Sequence, residues 1–324
     1  MAGKYEEFDR SRIRLRPLNQ RRNLVSLDSV LELGDSPGPF SDPGLDAVAD
    51  AVSAAIKRGA PVVLMIGAHL IKRGLSRYLC DVVRRKWVTA LAGNGACTIH
   101  DFELACVGAT SESVAENISD GSFGHWQETG KLNDVTSAGR QEGLGLGEAV
   151  GRYISRSPLP HKDISIFAAA YESGVPATVH VGVGYDIIHQ HPNCNGAALG
   201  EASYRDFLIF AKTIENLTGG VLLCYGTAVM GPEVFLKALS MARNVASGEG
   251  KRICEFTSAV FDIVQLPKDL SEEVADDRPE YYYRPFKTIL VRTVRDGGRS
   301  YYIRGDHVET LPALHRLLLD RLGE

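Results

Sequence analysis

The chain has 324 residues, a formal net charge of −4 and 44% hydrophobic residues. This composition is typical of an ordinary globular protein and offers no basic field for a nucleic acid. No apolar run reaches the roughly 18 residues of a transmembrane helix, and the 6 cysteines form no CxxC pair, which indicates buried thiols in a reducing compartment. We therefore expect a cytoplasmic protein with a small-molecule substrate and with neither a nucleic acid nor a membrane as partner.

Residues 1–43 are predicted to form an N-terminal arm, and residues 44–324 a single α/β domain. The arm begins with mixed charges and lacks the apolar core of a secretion signal. Its second half, around residues 34–39, is rich in Gly, Pro and Ser. We interpret the arm as an ordered surface segment or a subunit contact, which ends where a helix begins near Asp42 and runs to Arg58.

Predicted strands and helices then alternate along the chain. Val62–Ile66 and Val221–Tyr225 are continuous apolar runs, typical of strands buried on both faces of a parallel sheet. Further strands are predicted over 87–92, 177–183, 253–264 and 288–294, and helices over 71–85, 98–107, 134–155, 165–171, 200–217, 232–245 and 311–322. The alternation predicts a Rossmann-like α/β fold with a mostly parallel, doubly wound sheet. The long polar segment 108–133 is expected to be a functional loop or lid.

Three turns of small residues follow predicted strands and are the candidate cofactor-binding segments. They are Gly67-Ala68-His69, Gly93-Asn94-Gly95-Ala96 and Gly226-Thr227. Small residues let the backbone approach a pyrophosphate, and the following helix start favours negative charge. None is a complete GxGxxG motif, so a tight turn without a ligand is an equally good interpretation of the second one. The partial match at Gly143, Gly145 and Gly147 follows no strand and indicates close helix packing.

A cluster of polar residues follows the strand predicted over 177–183. His189 is the candidate acid/base, because histidine titrates near neutrality. Asp186 and His100, each just beyond a strand, are candidates to orient polar groups. His189, His191 and Cys194 offer zinc-binding atoms, but their spacing matches no zinc signature, so we expect no metal.

The order of these turns resembles deoxyhypusine synthase. The resemblance covers about residues 60–245. It lies in the turn at 67–69, the turn and acidic helix start at 93–101, a loose match to a Gly-Asp-x-x-x-His element at 184–189, and the strand and turn at 220–231. It implies a Rossmann-like fold, an NAD cofactor at the edge of the sheet, and homotetramers that share active sites between subunits. Enzymes of that family oxidise spermidine with NAD and transfer an aminobutyl group through an imine on a lysine.

The chain departs from that family at the lysine, at the paired acids of the second glycine turn, where Ile99 and His100 lie near those positions, and most of all from about Lys251 onward. The stretch 227–230, where the family's lysine is expected, contains none, and the closest is Lys237. We expect an NAD-dependent enzyme that oxidises a polyamine-like or other small amine or alcohol, with Asp101, Glu201 and Asp206 binding a cationic group. Two alternatives stay open: a hydrolase or lyase that uses tightly bound NAD or a metal at His189, His191 and Cys194, and a non-catalytic protein that binds NAD or another metabolite.

Overall fold

The computed structural model describes residues 3–35, 38–267, 269–270 and 272–323. Its strands are β1 (Val25–Ser26), β2 (Val62–Ile66), β3 (Ala90–Asn94), β4 (Ala109–Thr110), β5 (Ala177–His180), β6 (Val221–Tyr225), β7 (Thr257–Asp262) and β8 (Arg299–Arg304). β1 and β4 form a small antiparallel pair, and the other six strands form one sheet in the order β5-β3-β2-β6-β7-β8. Every neighbouring pair in that sheet is parallel, which confirms the predicted α/β fold.

Helices cover both faces of the sheet. They are α1 (Pro43–Arg58), α2 (His69–Lys72), α3 (Ser76–Arg84), α4 (Gly95–Val107), α5 (Val114–Ser119), α6 (Lys131–Gln141), α7 (Leu146–Arg156), α8 (Ile166–Ser173), α9 (Gly196–Ile214), α10 (Met230–Gly248), α11 (Pro279–Tyr282) and α12 (His307–Leu322). Along β2 the side chains alternate between two hydrophobic clusters, with Leu64 packing on one side and Val63 and Met65 on the other. This alternation is what a strand buried between two helical layers requires.

The strand order divides the sheet into two halves. Counted along the chain, the six strands run 3-2-1-4-5-6 across the sheet, the order of dinucleotide-binding Rossmann domains. The order reverses between β2 and β6, where Ile66 of β2 lies opposite Tyr225 of β6 and Gly93 of β3. Open sheets of this kind bind ligands beyond the carboxyl ends of their strands at the reversal, so the fold itself points to that edge.

Glycines interrupt two of the predicted helices. The helix predicted over 71–85 is split into α2 and α3 at Gly74, whose φ is 78°, and the one predicted over 134–155 is split into α6 and α7 at Gly143, whose φ is 77°. A left-handed backbone ends a helix, and glycine adopts it without steric cost. Gly147 packs closely, as expected, because a Cβ there would lie 2.0 Å from the carbonyl oxygen of Ala177.

The strand predicted over 288–294 is wrong. A buried π-helical turn, Phe286–Val291, covers most of that segment, and the sixth strand of the sheet is β8 instead. The apolar run is buried on all sides, and such short runs do not distinguish strand from helix by their pattern. The strand predicted over 253–264 is also shorter in the structure, where β7 covers 257–262.

The arm contains β1 and three short 3₁₀ turns, and it packs against the segment that follows α4. Arg16 exchanges backbone hydrogen bonds with His125 and Gln127, both 2.8 Å long. Residues 1–2 and 36–37 of the predicted arm, and residues 268 and 271 of the loop after β7, lie outside the described residues. Across the described ranges, no helix combines the length and the apolar character needed to cross a membrane.

Candidate functional site

The turns that end β2 and β6 touch each other at the reversal of strand order. The amide of Gly67 donates to the carbonyl oxygen of Tyr225 at 3.0 Å. A Cβ at Gly67 would lie 2.1 Å from the carbonyl oxygen of Gly226, which itself has a φ of 57°. Both positions therefore require glycine. The turns at 67–69, 93–96 and 226–231 lie at one edge of the sheet, as the sequence predicts.

The second turn is closed by a carboxylate of the chain itself. Asn94 ends β3 and caps α4, with its Oδ1 accepting from the amide of Cys97 at 3.2 Å. The carboxylate of Asp186 lies against Gly95, where a Cβ would come within 2.0 Å of Oδ2. An anion thus already stands at the positive end of α4. In this arrangement Gly93–Ala96 does not offer its amides to a phosphate.

A cavity of about 190 Å³ opens beside this turn. Elements that follow β2, β3 and β5 line it together with the arm and the segment after α4. Its polar and aromatic lining includes Lys72, His100, Glu112, Tyr185 and Asp186. The cavity therefore lies at the carboxyl edge, next to the reversal of strand order, where a substrate would reach a cofactor bound at that reversal.

His189 and Asp186 form a buried pair at the wall of this site. The Nδ1 atom of His189 accepts from the backbone amides of Gly184 at 3.1 Å and Asp186 at 3.2 Å, so the ring proton of the neutral imidazole lies on Nε2. That Nε2 is 3.7 Å from Asp186 Oδ2, and the two side chains are 6% and 7% exposed. Burial lowers the pKa of His189.

The acid of this pair is poised to exchange a proton. Burial raises the pKa of Asp186 to about 6, an effect that the backbone N–H of Ala96 partly offsets. A buried carboxyl with a pKa near 6 can take up and release a proton near neutral pH, which suits acid/base work. The structure thus brings together Asp186 and His100 at the cavity, with His189 behind Asp186.

His100 differs from His189 in its surroundings. Its Nδ1 is 2.7 Å from Thr110 Oγ1, and burial lowers its pKa to about 4. The ring therefore stays neutral at physiological pH and acts through hydrogen bonds. Behind it lies an ion pair that the sequence does not reveal, in which Arg21 of the arm binds both carboxylate oxygens of Glu103 at 2.9 and 2.7 Å.

The three acids expected to bind a cationic group do not line this cavity. Asp101 is 1% exposed and accepts from the amide of Ile166 at 2.8 Å, which holds the start of α8. Asp206 is 0% exposed and accepts from the amides of Gly147 at 2.9 Å and Val179 at 2.7 Å. Glu201 lies on the surface in an ion pair with Arg140 at 2.6 Å. Asp101 and Asp206 hold backbone in place, a role that a sequence pattern does not separate from ligand binding.

The arrangement of the described side chains does not favour the zinc alternative. His191 is 0% exposed, and its Nε2 lies 2.7 Å from the carbonyl oxygen of Gly124, so that nitrogen donates a hydrogen bond. No group of three or more His, Cys, Asp or Glu side chains suited to a metal ion occurs among the described residues.

Two further buried residues are absent from the sequence-based site, and neither lines the cavity. His307, at the start of α12, is 5% exposed, and its ring centroid lies 6.2 Å from that of His69. Lys287, in the π-helical turn, is 6% exposed, with its Nζ 3.7 Å from the centroid of the Tyr281 ring. The acid in its neighbourhood, Glu273, pairs with Arg292 at 2.6 Å instead. Lys287 lies directly before the segment 288–294 that was predicted to be a strand, and no pattern in the sequence marked it as a site residue.

The chain matches no protein-family model and no curated protein. Among solved structures it is similar to ArgZ, an arginine dihydrolase from the ornithine–ammonia cycle in cyanobacteria, with a TM-score of 0.50 and 15% identity over 85% of this chain and 31% of ArgZ. A conserved protein of Methanococcus maripaludis S2, provisionally described as LOR/SDH, has a TM-score of 0.50 and 12% identity over 91% of this chain and 74% of its own. A protein of Entamoeba histolytica, provisionally described as deoxyhypusine synthase, has a TM-score of 0.46 and 8% identity over 86% of this chain and 87% of its own.

At these identities the likenesses show the fold alone. That fold is a Rossmann-like α/β fold, and the likenesses do not single out deoxyhypusine synthase. The chain also spans less than a third of the length of ArgZ, since it covers 31% of that protein. The activity of this chain therefore has to be argued from its own site.

Proposed function

We propose that this chain is an NAD-dependent enzyme that oxidises a small amine. One observation carries the proposal: the strand order reverses between β2 and β6, and a cavity lined in part by charged side chains opens at the same edge beside that reversal. Rossmann sheets bind a dinucleotide at such a reversal. A substrate in the cavity would then lie beside the cofactor.

The residues at the reversal fit NAD on two of the three turns. Gly67 and Gly226 carry no side chains of their own, but their amides donate to the carbonyl oxygens of Tyr225 and Phe261, so a pyrophosphate would depend on the amides that follow them in these turns. Asp186 occupies the turn at 93–96, so we place the cofactor on 67–69 and on Gly226 and Thr227. NAD bound there would supply a hydride acceptor.

The cavity suits a cationic substrate. Glu112 accepts only from neutral donors, namely the amide of Gly124 at 3.1 Å, the indole of Trp126 at 2.8 Å and the Asn117 side chain at 2.5 Å. Its charge is therefore not compensated by a cation at those contacts. Asp186 lines the same cavity, so the lining offers two carboxyl groups to an ammonium group, alongside the cation of Lys72.

Asp186 and His189 would accept the proton that the substrate ammonium group loses. Before a hydride leaves the carbon that bears nitrogen, the ammonium group has to lose a proton, so that its lone pair is free to form the C=N bond. We propose that Asp186, backed by His189, takes this proton; the carbon then loses a hydride, and the substrate becomes an iminium ion. The products are one reduced cofactor, one iminium ion and one proton held by the pair.

Lys287 is our candidate for a transfer step. Its amine would attack the iminium carbon, form a C–N bond and release the original amine, which leaves the fragment bound to the enzyme as an imine. Two observations support this role. Lys287 is buried under the ring of Tyr281. It also follows Tyr283 by one helical turn, and the hydroxyl of Tyr283 donates to Asp262 at the end of β7 (2.5 Å). Borohydride added during turnover would trap the imine, and peptide mass spectrometry would find the added mass on Lys287.

Lysine 237 provides the matched control for that experiment. Lys237 is exposed and paired with Glu233 on α10. Lys287→Met should abolish trapping, whereas Lys237→Met should leave it unchanged. Turnover without any mass on Lys287 would remove the transfer step and leave simple oxidation.

The proposed oxidation is tested by NAD binding and by turnover. Titration calorimetry with NAD should show binding, and diamines and triamines should then produce the absorbance of the reduced nicotinamide. His189→Ala should reduce turnover at least 100-fold, a typical effect of losing an acid/base, and leave NAD affinity unchanged. His161→Ala, at a half-buried histidine outside the cavity lining, is the control. Binding without any reduction across the panel would favour a metabolite-binding protein instead.

The homotetramer implied by the resemblance remains a proposal. Apolar side chains stand exposed at the carboxyl edge, among them Val183 at 74%, Tyr185 at 83% and Val229 at 63%. Exposed apolar groups around a site are typical of a surface that another chain covers. Analytical ultracentrifugation should show an oligomer at micromolar concentration, and a monomer with full activity would contradict the proposal.

A further inference from the structure

We propose that His100 selects the substrate by accepting a hydrogen bond: its ring carries its proton on Nδ1 and offers the Nε2 lone pair to the cavity. Thr110 and the buried Glu103–Arg21 pair act as positioning residues that set this tautomer. The inference deepens the proposed function, since it takes the cavity as the substrate site.

The chain of bonds begins at Glu103, whose carboxylate is fully enclosed. Arg21 donates to both oxygens, and the two side chains are 1% and 0% exposed. The hydroxyl of Thr129 donates to Oε1 at 2.7 Å and that of Thr110 to Oε2 at 2.6 Å. A carboxylate paired with a guanidinium accepts hydrogen bonds and donates none. Every group facing Glu103 is therefore a donor.

Thr110 transmits this constraint to the imidazole. A hydroxyl has one proton, and Thr110 gives it to Glu103. Its oxygen, which is 2.7 Å from His100 Nδ1, is then left as an acceptor, so Nδ1 has to donate. Because burial lowers the pKa of His100 to about 4, the ring holds only one proton at neutral pH. That proton is on Nδ1, and Nε2 keeps a lone pair.

The free edge of the ring faces the cavity. His100 lines the cavity and Thr110 does not. The Nε2 edge of the ring, which is turned away from Thr110, is therefore the edge that faces the cavity. Asp186 and Glu112 add carboxyl oxygens to the same wall. This wall would bind an N–H or O–H group of the substrate and would repel a carbonyl or carboxylate oxygen at Nε2. We infer that the substrate places an amine or hydroxyl group against His100.

Nitrogen-15 NMR of the full-length chain, labelled at histidine, tests the tautomer directly. The signals of His100 would be assigned by their loss in His100→Asn. We expect wild-type protein and Thr110→Ser, which keeps the hydroxyl, to show the proton on Nδ1. Thr110→Val removes the acceptor and should shift the population towards Nε2–H. A wild-type ring with its proton on Nε2 overturns the proposal, whether or not Thr110→Val folds.

Binding of 1,4-diaminobutane tests the role of that lone pair. The diamine should move the Nε2 signal of His100, and its affinity should fall about fivefold in Thr110→Val, the usual effect of one lost hydrogen bond. Thr110→Ser should bind like the wild type, and pentanoate should leave the Nε2 signal unchanged. A diamine that binds without moving this signal overturns the inference. A diamine that moves it without reducing NAD supports the inference and counts against the proposed oxidation.

Discussion

Replacing Arg21 by methionine tests whether the arm is part of the site. The change keeps the length of the side chain but leaves the carboxylate of Glu103 buried without a cation, with only Thr110 and Thr129 as donors. Breaking a buried pair in this way costs about 3–5 kcal/mol. For 324 residues, an unfolding entropy of about 2.1 cal/mol/K each gives about 0.7 kcal/mol/K. The melting temperature should therefore fall by about 4–7 °C in calorimetry at pH 7.

Two control variants distinguish the buried pair from a general effect of the arm. Arg16→Met removes an exposed partner of Asp120, where the two side chains are 48% and 53% exposed, and should change stability by less than about 1 kcal/mol. Arg21→Met combined with Glu103→Leu should recover most of the loss, because apolar groups replace a buried pair at little cost. If Arg21→Met melts at the same temperature as Arg16→Met, the pair is not buried in solution and the reasoning fails.

Further predictions concern Asp186 and the glycines. Because burial raises the pKa of Asp186 from 3.8 to about 6, the contribution of this group to stability is full below about pH 4 and is lost as the pH rises through 6. Asp186→Asn should therefore raise the stability at pH 7, by up to about 3 kcal/mol for a shift of two pKa units. Denaturant titration at pH 4 and pH 7 measures this change. A variant that is less stable than the wild type at pH 7 would contradict the prediction. Gly226→Ala should lower the stability more than Gly174→Ala. Both glycines have a positive φ, but only the new Cβ at 226 meets a side chain, with His307 Nε2 at 2.8 Å. NAD affinity should fall only in Gly226→Ala, and equal affinity in the two variants would move the cofactor away from this turn.

Two strands were predictable with their bounds because of how they are buried. Val62–Ile66 and Val221–Tyr225 are covered on both faces, so every residue is apolar and the signal is unbroken. The same logic fails for Phe286–Val291, which is also buried and mostly apolar, apart from Lys287 and Thr288, but is helical. β8 was missed because its ends, Arg299 and Arg304, are exposed charges. Burial can be predicted from the hydrophobic pattern of the sequence, whereas the conformation of a short apolar run depends on the residues that surround it in the fold.

The candidate site was predictable where it follows from topology. Parallel strands bring their carboxyl ends to one edge, so the turns after β2, β3 and β6 had to meet. The roles of individual acids did not follow. Asp101 and Asp206 hold backbone amides, while Asp186 closes the turn that looked open to phosphate. A carboxylate near a helix start looks the same in sequence whether it binds the chain or a ligand.

The sequence by itself determined the alternation of strands and helices, and with it the edge at which a ligand would bind, because hydrophobic periodicity and glycine turns are local properties. Only the tertiary structure decided which polar groups face each other there. Arg21 and Glu103 are 82 positions apart, and the tautomer of His100 depends on a hydroxyl that both it and Glu103 share. Hydrogen bonds of this kind act over about 3 Å in space, and nothing in the spacing of residues along the chain records them.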